Sequence, residues 1–146
     1  MTTDLYIHES SQVYDAIIVG AGVAGLYQLY RLREMGLKVK SFDAASDVAG
    51  TWYWNCYPGA RVDSQSYIYQ YWFSDELINE WDWSEHFSPQ PETERYLNYV
   101  ADKFALRDDI QFSARVRTAQ FDEQGCYWRI TLEDGSCHTA RYLITA

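Results

Sequence analysis

The sequence predicts an α/β fold, on three observations. A short apolar run, Tyr14-Asp-Ala-Ile-Ile-Val19, leads straight into Gly20-Ala-Gly-Val-Ala-Gly25. A helical stripe and a second apolar run, residues 37–43, come next. The last third of the chain then breaks into four short runs of strand character.

Taken in order, residues 1–13 read as a flexible arm and residues 14–146 as one domain. The run 14–19 has the near-continuous apolarity of a strand buried on both faces of a parallel sheet. After the glycine turn, Leu26, Leu29, Tyr30 and Arg33 recur at helical spacing, and Gly36 is placed as the glycine that ends a helix. Residues 37–43 read as the next strand, so the start of the chain is one βαβ unit. Residues 44–66 form a glycine- and aromatic-rich loop too long to be a mere connection. Residues 67–73 alternate, which predicts an extended segment with Tyr67, Tyr69, Tyr71 and Phe73 on one face. Pro91 sits where a helix tolerates proline, in its first turn. Leu97, Val100, Ala101 and Phe104 then give that helix an apolar stripe, to about Leu106. Residues 111–113, 115–121, 127–132 and 138–145 read as strands of an antiparallel meander, with Asp134-Gly135 as a two-residue hairpin. Residues 142–146 have the character of a buried central strand. Domains seldom end inside one, so the expectation is a truncated domain, one piece of a longer polypeptide.

Composition bounds the function. The chain has 146 residues, 47% hydrophobic and 23% charged, with net charge −9. That suits a single folded domain with its own core and excludes disorder. Three cysteines are too few for a disulfide scaffold, and Cys56, Cys126 and Cys137 lack CxxC spacing. His8, His86 and His138 are isolated, so no metal site is expected. No apolar run is long enough to span a membrane, and residues 1–12 lack the features of a secretory signal. The acidity and scattered basic residues weigh against nucleic acid. A cytoplasmic location is expected. Aromatics are unusually frequent, with 13 Tyr and 6 Trp in the chain. Tyr67, Tyr71, Trp72, Trp81 and Trp83 read as packing residues, since aromatics dominate cores generally.

The glycine turn has the context that gives such a motif meaning: a strand before it, a helix after it, and an acid at the end of the second strand. Gly20 would allow the tight turn, Gly22 a close backbone approach to a pyrophosphate, and Gly25 close packing of helix and strand. The pyrophosphate would rest on the helix N-terminus. Asp43, eighteen residues past Gly25, is placed to accept hydrogen bonds from an adenosine ribose and to repel a 2′-phosphate. That favours FAD or NAD over NADP in this cradle. The competing reading is a structural glycine turn with a solvated acid.

Residues 49–63, Ala-Gly-Thr-Trp-Tyr-Trp-Asn-Cys-Tyr-Pro-Gly-Ala-Arg-Val-Asp, resemble the flavin-proximal stretch of the Baeyer–Villiger monooxygenases, the class B flavoprotein monooxygenases. The likeness runs from Tyr14 to the end of the chain. Residues 26–30 and 55–57 lean toward the cyclopentanone- and cyclohexanone-oxidising branch. The resemblance implies the N-terminal FAD-binding part of such an enzyme, with a Rossmann-type βαβ unit. It implies NADPH- and O2-dependent conversion of ketones to esters or lactones through a C4a-peroxyflavin. By the same resemblance, Gly20, Gly22, Ala24 and Gly25 cradle the FAD pyrophosphate and Asp43 holds its ribose. Gly50, Thr51, Trp52 and Trp54 line the path to the flavin ring, Tyr69 contacts the flavin side, and the Val116 backbone meets the adenine. Arg61, Val62 and Asp63 border flavin and nicotinamide. Asp63 is the expected catalytic residue, orienting an arginine that stabilises negative charge near the flavin. The bland alternative makes Asp63 a turn residue in a polar loop.

The chain departs from the family pattern in three places. Ala49 stands where a first glycine is usual, and Asp43 where glutamate is more frequent. The second glycine-rich motif, for NADPH, and the family fingerprint are absent from these residues. The expected partners are therefore a ketone, O2, and the remainder of the polypeptide or a complementing chain, and the fragment alone is expected to be inactive. Three alternatives stay open: an N- or S-oxidising flavin monooxygenase, a non-catalytic dinucleotide-binding module, and half of an NAD-dependent dehydrogenase. The last is disfavoured by the meander.

Overall fold

A computed structural model describes residues 9–146. The strands are β1 (Glu9–Val19), β2 (Val39–Phe42), β3 (Ile110–Gln111), β4 (Val116–Asp122), β5 (Tyr127–Leu132) and β6 (Cys137–Thr145). The helices are α1 (Val23–Glu34), α2 (Thr51–Trp54), α3 (Ser66–Tyr69), α4 (Asp75–Glu80) and α5 (Gln90–Lys103), with a 3-10 turn at Leu106–Asp109. One six-stranded sheet runs in the order β3-β2-β1-β6-β5-β4. The pairs β3–β2, β2–β1 and β1–β6 are parallel, while β4–β5 and β5–β6 are antiparallel. The sheet is thus a Rossmann-type parallel half joined to a meander through β6.

Alternation along β1 divides the core. Ala16 and Ile18 face the larger cluster with Leu26 and Leu29 of α1 and Leu97 and Val100 of α5. Ile17 faces the other side, against Phe42, Ala114, Ile130, Leu132 and Ala140. That is how β1, buried on both faces, reads as an unbroken apolar run. Helix α1 ends as expected, with Gly36 at φ +76° just past the C-cap Met35.

The structure differs from the sequence expectations in several places. Strand β3 is Ile110–Gln111 and pairs parallel with β2, outside the meander expected to begin at residue 111; Trp72, expected to pack, is exposed; and the expected loop 44–66 contains the helical turn α2. Strand β1 begins at Glu9, inside the expected arm, because pairing with β6 extends back to Glu9↔Cys137; residues 1–8 of that arm lie outside the described residues. The alternating run 67–73 is not extended. Its first half is the helical turn α3, and no strand pairs with it. Consequently Tyr67 is exposed, whereas Tyr69 and Tyr71 turn into the core. Helix α5 stops at Lys103 rather than about Leu106; Ala105 takes φ +49° and the 3-10 turn follows. The β5–β6 connection holds three residues between the hydrogen-bonded Leu132 and Ser136. Gly135, at φ +87°, closes a turn on the Leu132 carbonyl, and Asp134 Oδ1 accepts the Ser136 N–H at 2.8 Å. A three-residue hairpin loop with a glycine at positive φ in its last position is a common alternative to the two-residue one. Finally, β6 is central in the sheet, yet Tyr142 near its end is exposed.

Candidate functional site

The glycine turn leaves β1 with Gly20 at φ +112°, a conformation that L side chains rarely adopt. The Gly20 N–H donates to the Phe42 carbonyl at 2.9 Å, and Ser41 Oγ donates to the Gly20 carbonyl at 3.1 Å. The turn is therefore tied to β2 on both sides. A Cβ on Gly25 would stand 2.1 Å from the Gly20 carbonyl oxygen, so α1 lies against the turn more closely than any other residue permits. Gly22 is the N-cap of α1 and supplies no side-chain cap; the first turn of the helix carries no acid, while Arg31 and Arg33 occupy the last. The open N–H groups and positive end of α1 are thus left for an anion. Ala24, in that first turn, is exposed.

A second glycine closes the cradle. Gly50, at φ +51°, meets Gly22 so closely that a Cβ on Gly50 would lie 2.8 Å from Gly22 Cα. The Ala49 N–H donates to the Ala21 carbonyl at 3.2 Å. Ala49 itself is fully buried and sits at φ +94°, which explains physically why glycine is usual there. Asp43, at the C-terminal end of β2, lies under the turn: its Oδ2 accepts the Ala21 N–H at 2.6 Å and its Oδ1 the Ala45 N–H at 2.7 Å. The segment leading to Val116 passes beside it, since the Ala114 N–H donates to the Asp43 carbonyl and the Ser113 N–H to the Ala45 carbonyl.

Beyond Gly50 the chain enters α2. Trp52 is buried and donates its indole N–H to the Tyr69 hydroxyl at 2.8 Å, with the two rings edge to face. Thr51 and Trp54 are exposed. This aromatic turn is anchored from α5 as well as by its own N–H groups on the Ala49 and Gly50 carbonyls. Gln90 Nε2 donates to the Trp52 carbonyl at 2.5 Å, and its backbone N–H to the Ala60 carbonyl at 2.8 Å. The Val62 N–H donates to the Ser88 carbonyl, and the Ser66 N–H to the His86 carbonyl. Buried Glu92 holds that segment in turn: its carboxylate accepts the Ser84 N–H, the Ser84 hydroxyl and the Ser88 hydroxyl at 2.9, 2.7 and 3.2 Å.

Beside the first turn of α1 lies a cavity of about 470 Å³, lined by Val23, Ala24, Tyr27, Gln70, Tyr71 and their neighbours. The Tyr71 hydroxyl donates to the Val23 carbonyl at 2.5 Å, and its backbone N–H donates to the Tyr96 hydroxyl. Burial pushes both phenols up, Tyr96 to about 12 and Tyr71 further, so both stay protonated.

The structure thus brings together Gly20, Gly22, Gly25, Asp43 and Gly50, and separately pairs Trp52 with Tyr69. Arg61 and Asp63 are exposed and flank buried Val62 in the chain. Arg61 pairs with Glu85 at 3.0 Å and donates to the Phe87 carbonyl; among the described residues no hydrogen bond ties it or Asp63 to the glycine turn. Sequence reading missed Gln90, Glu92, Ser66 and Ser88. Glu92 in a first helical turn looks like a residue serving the helix dipole. Nothing local to the sequence shows that its donors come from residues 84–88.

A sheet of this order with a glycine cradle at the C-terminal end of β1 defines a Rossmann-type nucleotide-binding domain. The NAD(P)-binding Rossmann-like domain family matches residues 18–80. The chain is 52% identical over 136 residues to the acetone monooxygenase (methyl acetate-forming) of Gordonia sp. (strain TY-5), a match covering 93% of this chain and 26% of that protein. It is 48% identical to the phenazine N-monooxygenase PhzNO1 of Lysobacter antibioticus, covering 91% of this chain and 25% of that protein. Among solved structures it is similar to that of OTEMO in complex with FAD and NADP, with a TM-score of 0.87 and 44% identity over 91% of this chain and 25% of the other. It is also 44% identical over 133 residues to the Baeyer–Villiger monooxygenase of Pseudooceanicola batsensis, covering 90% of this chain and 24% of that protein. It spans about a quarter of the length of the curated relatives it matches.

Proposed function

We propose that this chain is the FAD-binding portion of an NADPH- and O2-dependent Baeyer–Villiger monooxygenase that converts ketones to esters or lactones. The observation that carries the reading is the contact of Gly22 with Gly50. It joins an anion-binding helix N-terminus to the aromatic turn, so that one ligand can lie on both. The residues fit a dinucleotide: the first turn of α1 offers unopposed N–H groups, and Gly50 admits no side chain against Gly22. When bound, FAD would supply the redox and oxygen chemistry. Gly20, Gly22, Ala24 and Gly25 would receive its pyrophosphate, Thr51, Trp52, Trp54 and Tyr69 would wall the path to its ring, and the Val116 backbone would meet the adenine. Arg61, Val62 and Asp63 would border the flavin and the nicotinamide. Asp63 would orient a cation beside the flavin, with the NADPH site completed by the rest of the polypeptide or a complementing chain. A cytoplasmic location accords with the absence, among the described residues, of any helix long and apolar enough to cross a membrane.

Titrating the purified chain with FAD and, separately, with NAD tests the reading, followed by flavin absorbance and tryptophan quenching. Saturable binding of FAD and none of NAD is expected; a preference for NAD would sink it. A second reading, oxidation at nitrogen, is favoured by the similarity to phenazine N-monooxygenase at nearly the level of the acetone enzyme. A panel of ketones and N-heteroaromatics offered to the complete enzyme separates the two.

A further inference from the structure

The first bond of α1 runs from the Leu26 N–H to the Gly22 carbonyl at 3.0 Å, which leaves the N–H groups of Val23, Ala24 and Gly25 open among the described residues. One of the three has a donor behind it. The Ala24 N–H and the Val23 carbonyl belong to the same planar peptide, and that carbonyl accepts the Tyr71 hydroxyl at 2.5 Å. Tyr71 reaches it from the aromatic segment, 48 residues further along the chain. Its own place is set by α5, where the hydroxyl of fully buried Tyr96 accepts the Tyr71 N–H at 2.8 Å. The Tyr71 ring is 8% exposed and lies against Tyr27, Phe73 and Tyr96. Burial keeps the phenol protonated, so it is a standing donor. A donor on a peptide carbonyl acts on the N–H at the other side of the same plane. It fixes the tilt of that plane, and it draws the amide toward its charge-separated form, so the N–H donates more strongly. Ala24 is exposed beside the cavity it shares with Tyr27, Gln70 and Tyr71, so an anion has room to reach this turn.

We infer that Tyr71 is a positioning residue for the pyrophosphate of the bound dinucleotide: through the Val23 carbonyl it orients and strengthens the Ala24 N–H. The inference rests on the dinucleotide reading above and deepens it, because the aromatic segment then helps to bind the phosphates as well as to wall the path to the flavin ring. The glycine turn keeps its place without Tyr71, since Ser41 and Asp43 tie residues 20 and 21 to the end of β2. What the phenol sets is the direction and strength of one donor.

Tyr71→Phe deletes the hydroxyl and keeps the ring. The dissociation constants of FAD, ADP and adenosine are measured for the chain and for this variant, with the amide resonances of the ligand-free proteins alongside. FAD and ADP, which carry the pyrophosphate, are expected to weaken by the same factor, about threefold to tenfold, and adenosine not at all. Before any ligand is added, the Ala24 amide resonance is expected to move upfield while that of Ala21 stays in place. Equal weakening of adenosine would mean a general loosening of the site and would overturn the inference. Unchanged affinities for FAD and ADP would do the same, as would an unmoved Ala24 amide. The unmodified chain supplies an arm that needs no variant. A hydroxyl held on a carbonyl away from water exchanges slowly, so the Tyr71 hydroxyl proton is expected as a resonance that persists in water; its absence would overturn the inference even if Tyr71→Phe did not fold. If the chain binds none of the three ligands, the dinucleotide reading fails, and the Ala24 amide still decides whether Tyr71 acts on that peptide.

Discussion

The glycine turn and the aromatic segment touch at Gly22 and Gly50, yet they are held in opposite ways. The turn, residues 20–25, is fixed by neighbours in its own βαβ unit: β2 on one side, α1 on the other, and Asp43 below. The aromatic segment from α2 to α4 consists of elements of four to six residues, too short to be stable alone. It takes its shape from α5 and residues 84–89, through Gln90, Glu92, Ser66 and Ser88. One region is shaped by backbone, missing side chains and two polar side chains of the adjoining strand end, Ser41 and Asp43; the other by polar side chains supplied from up to 38 residues away.

The largest expected effect breaks the first region. Gly25→Ala would set a methyl 2.1 Å from the Gly20 carbonyl oxygen, backbone against backbone, with nothing flexible to yield. A loss of more than about 3 kcal/mol is expected, enough to unfold a marginal domain. Gly22→Ala is the control: its Cβ would meet Gly50 at 3.4 Å, an ordinary contact. Urea midpoints of the two variants should differ widely. Equal midpoints would mean that the tight packing of α1 on the turn is not what shapes the cradle.

The second region should yield to a polar truncation. Glu92→Ala removes the acceptor of the N–H and hydroxyl of exposed Ser84 and one of the two acceptors of the buried Ser88 hydroxyl, which keeps the Pro89 carbonyl. A cost of about 1–2 kcal/mol is expected. The tryptophan emission should shift as well, because the anchor of the Trp52 turn loosens. Glu92→Gln keeps an acceptor and should recover part of the loss. If Glu92→Ala lowers stability while the emission of the folded protein stays unchanged, the aromatic turn is held by its own packing and the contrast fails.

Ala49 sits at the joint. At φ +94° an alanine stores strain that glycine would not. Ala49→Gly is therefore expected to raise stability by up to about 1 kcal/mol, less whatever the unfolded chain gains in freedom. A lower melting temperature would mean that the strain is smaller than that entropy.

The contrast also explains what the sequence could reveal. Strand, glycine turn, helix and acid were legible because each local signal agrees with the tertiary result: Gly20, Gly25 and Gly36 do locally what their spacing implies. Residues 67–73 misled because alternation normally marks a strand. Here the helical turn α3 is enforced by the Ser66 contacts to residues 85, 86 and 88. Asp43 was found for its position at the end of β2, and its two backbone donors became visible only once the turn had folded over it. Gln90 and Glu92 were invisible for the same reason: a buried polar network has no sequence period.

A third region supplies the smallest effect and a check on both others. His138 of β6 lies against Phe42, ring centroids 4.7 Å apart, on the meander side of the sheet. Both of its ring nitrogens are buried without a hydrogen-bond partner among the described residues. Burial pushes its pKa below the ordinary value; Lys40 acts in the same direction and Asp134 opposes. The unfolded chain therefore takes up the proton more readily than the folded one, so stability falls as the pH drops below about 6.5 and is fully present above it. His138→Phe keeps the ring contact with Phe42 and removes the titration. Urea midpoints of the two proteins, compared between about pH 8 and pH 5, should run parallel at the upper end and diverge below about 6.5, with the carboxylates cancelling in the difference. Since His138 touches neither the cradle nor the aromatic segment, amide exchange at Ala21 and the tryptophan emission of the folded protein should stay constant through that divergence. Movement of either would mean that the meander face and the site are coupled through Phe42 and β2, and that the two regions are not held independently after all.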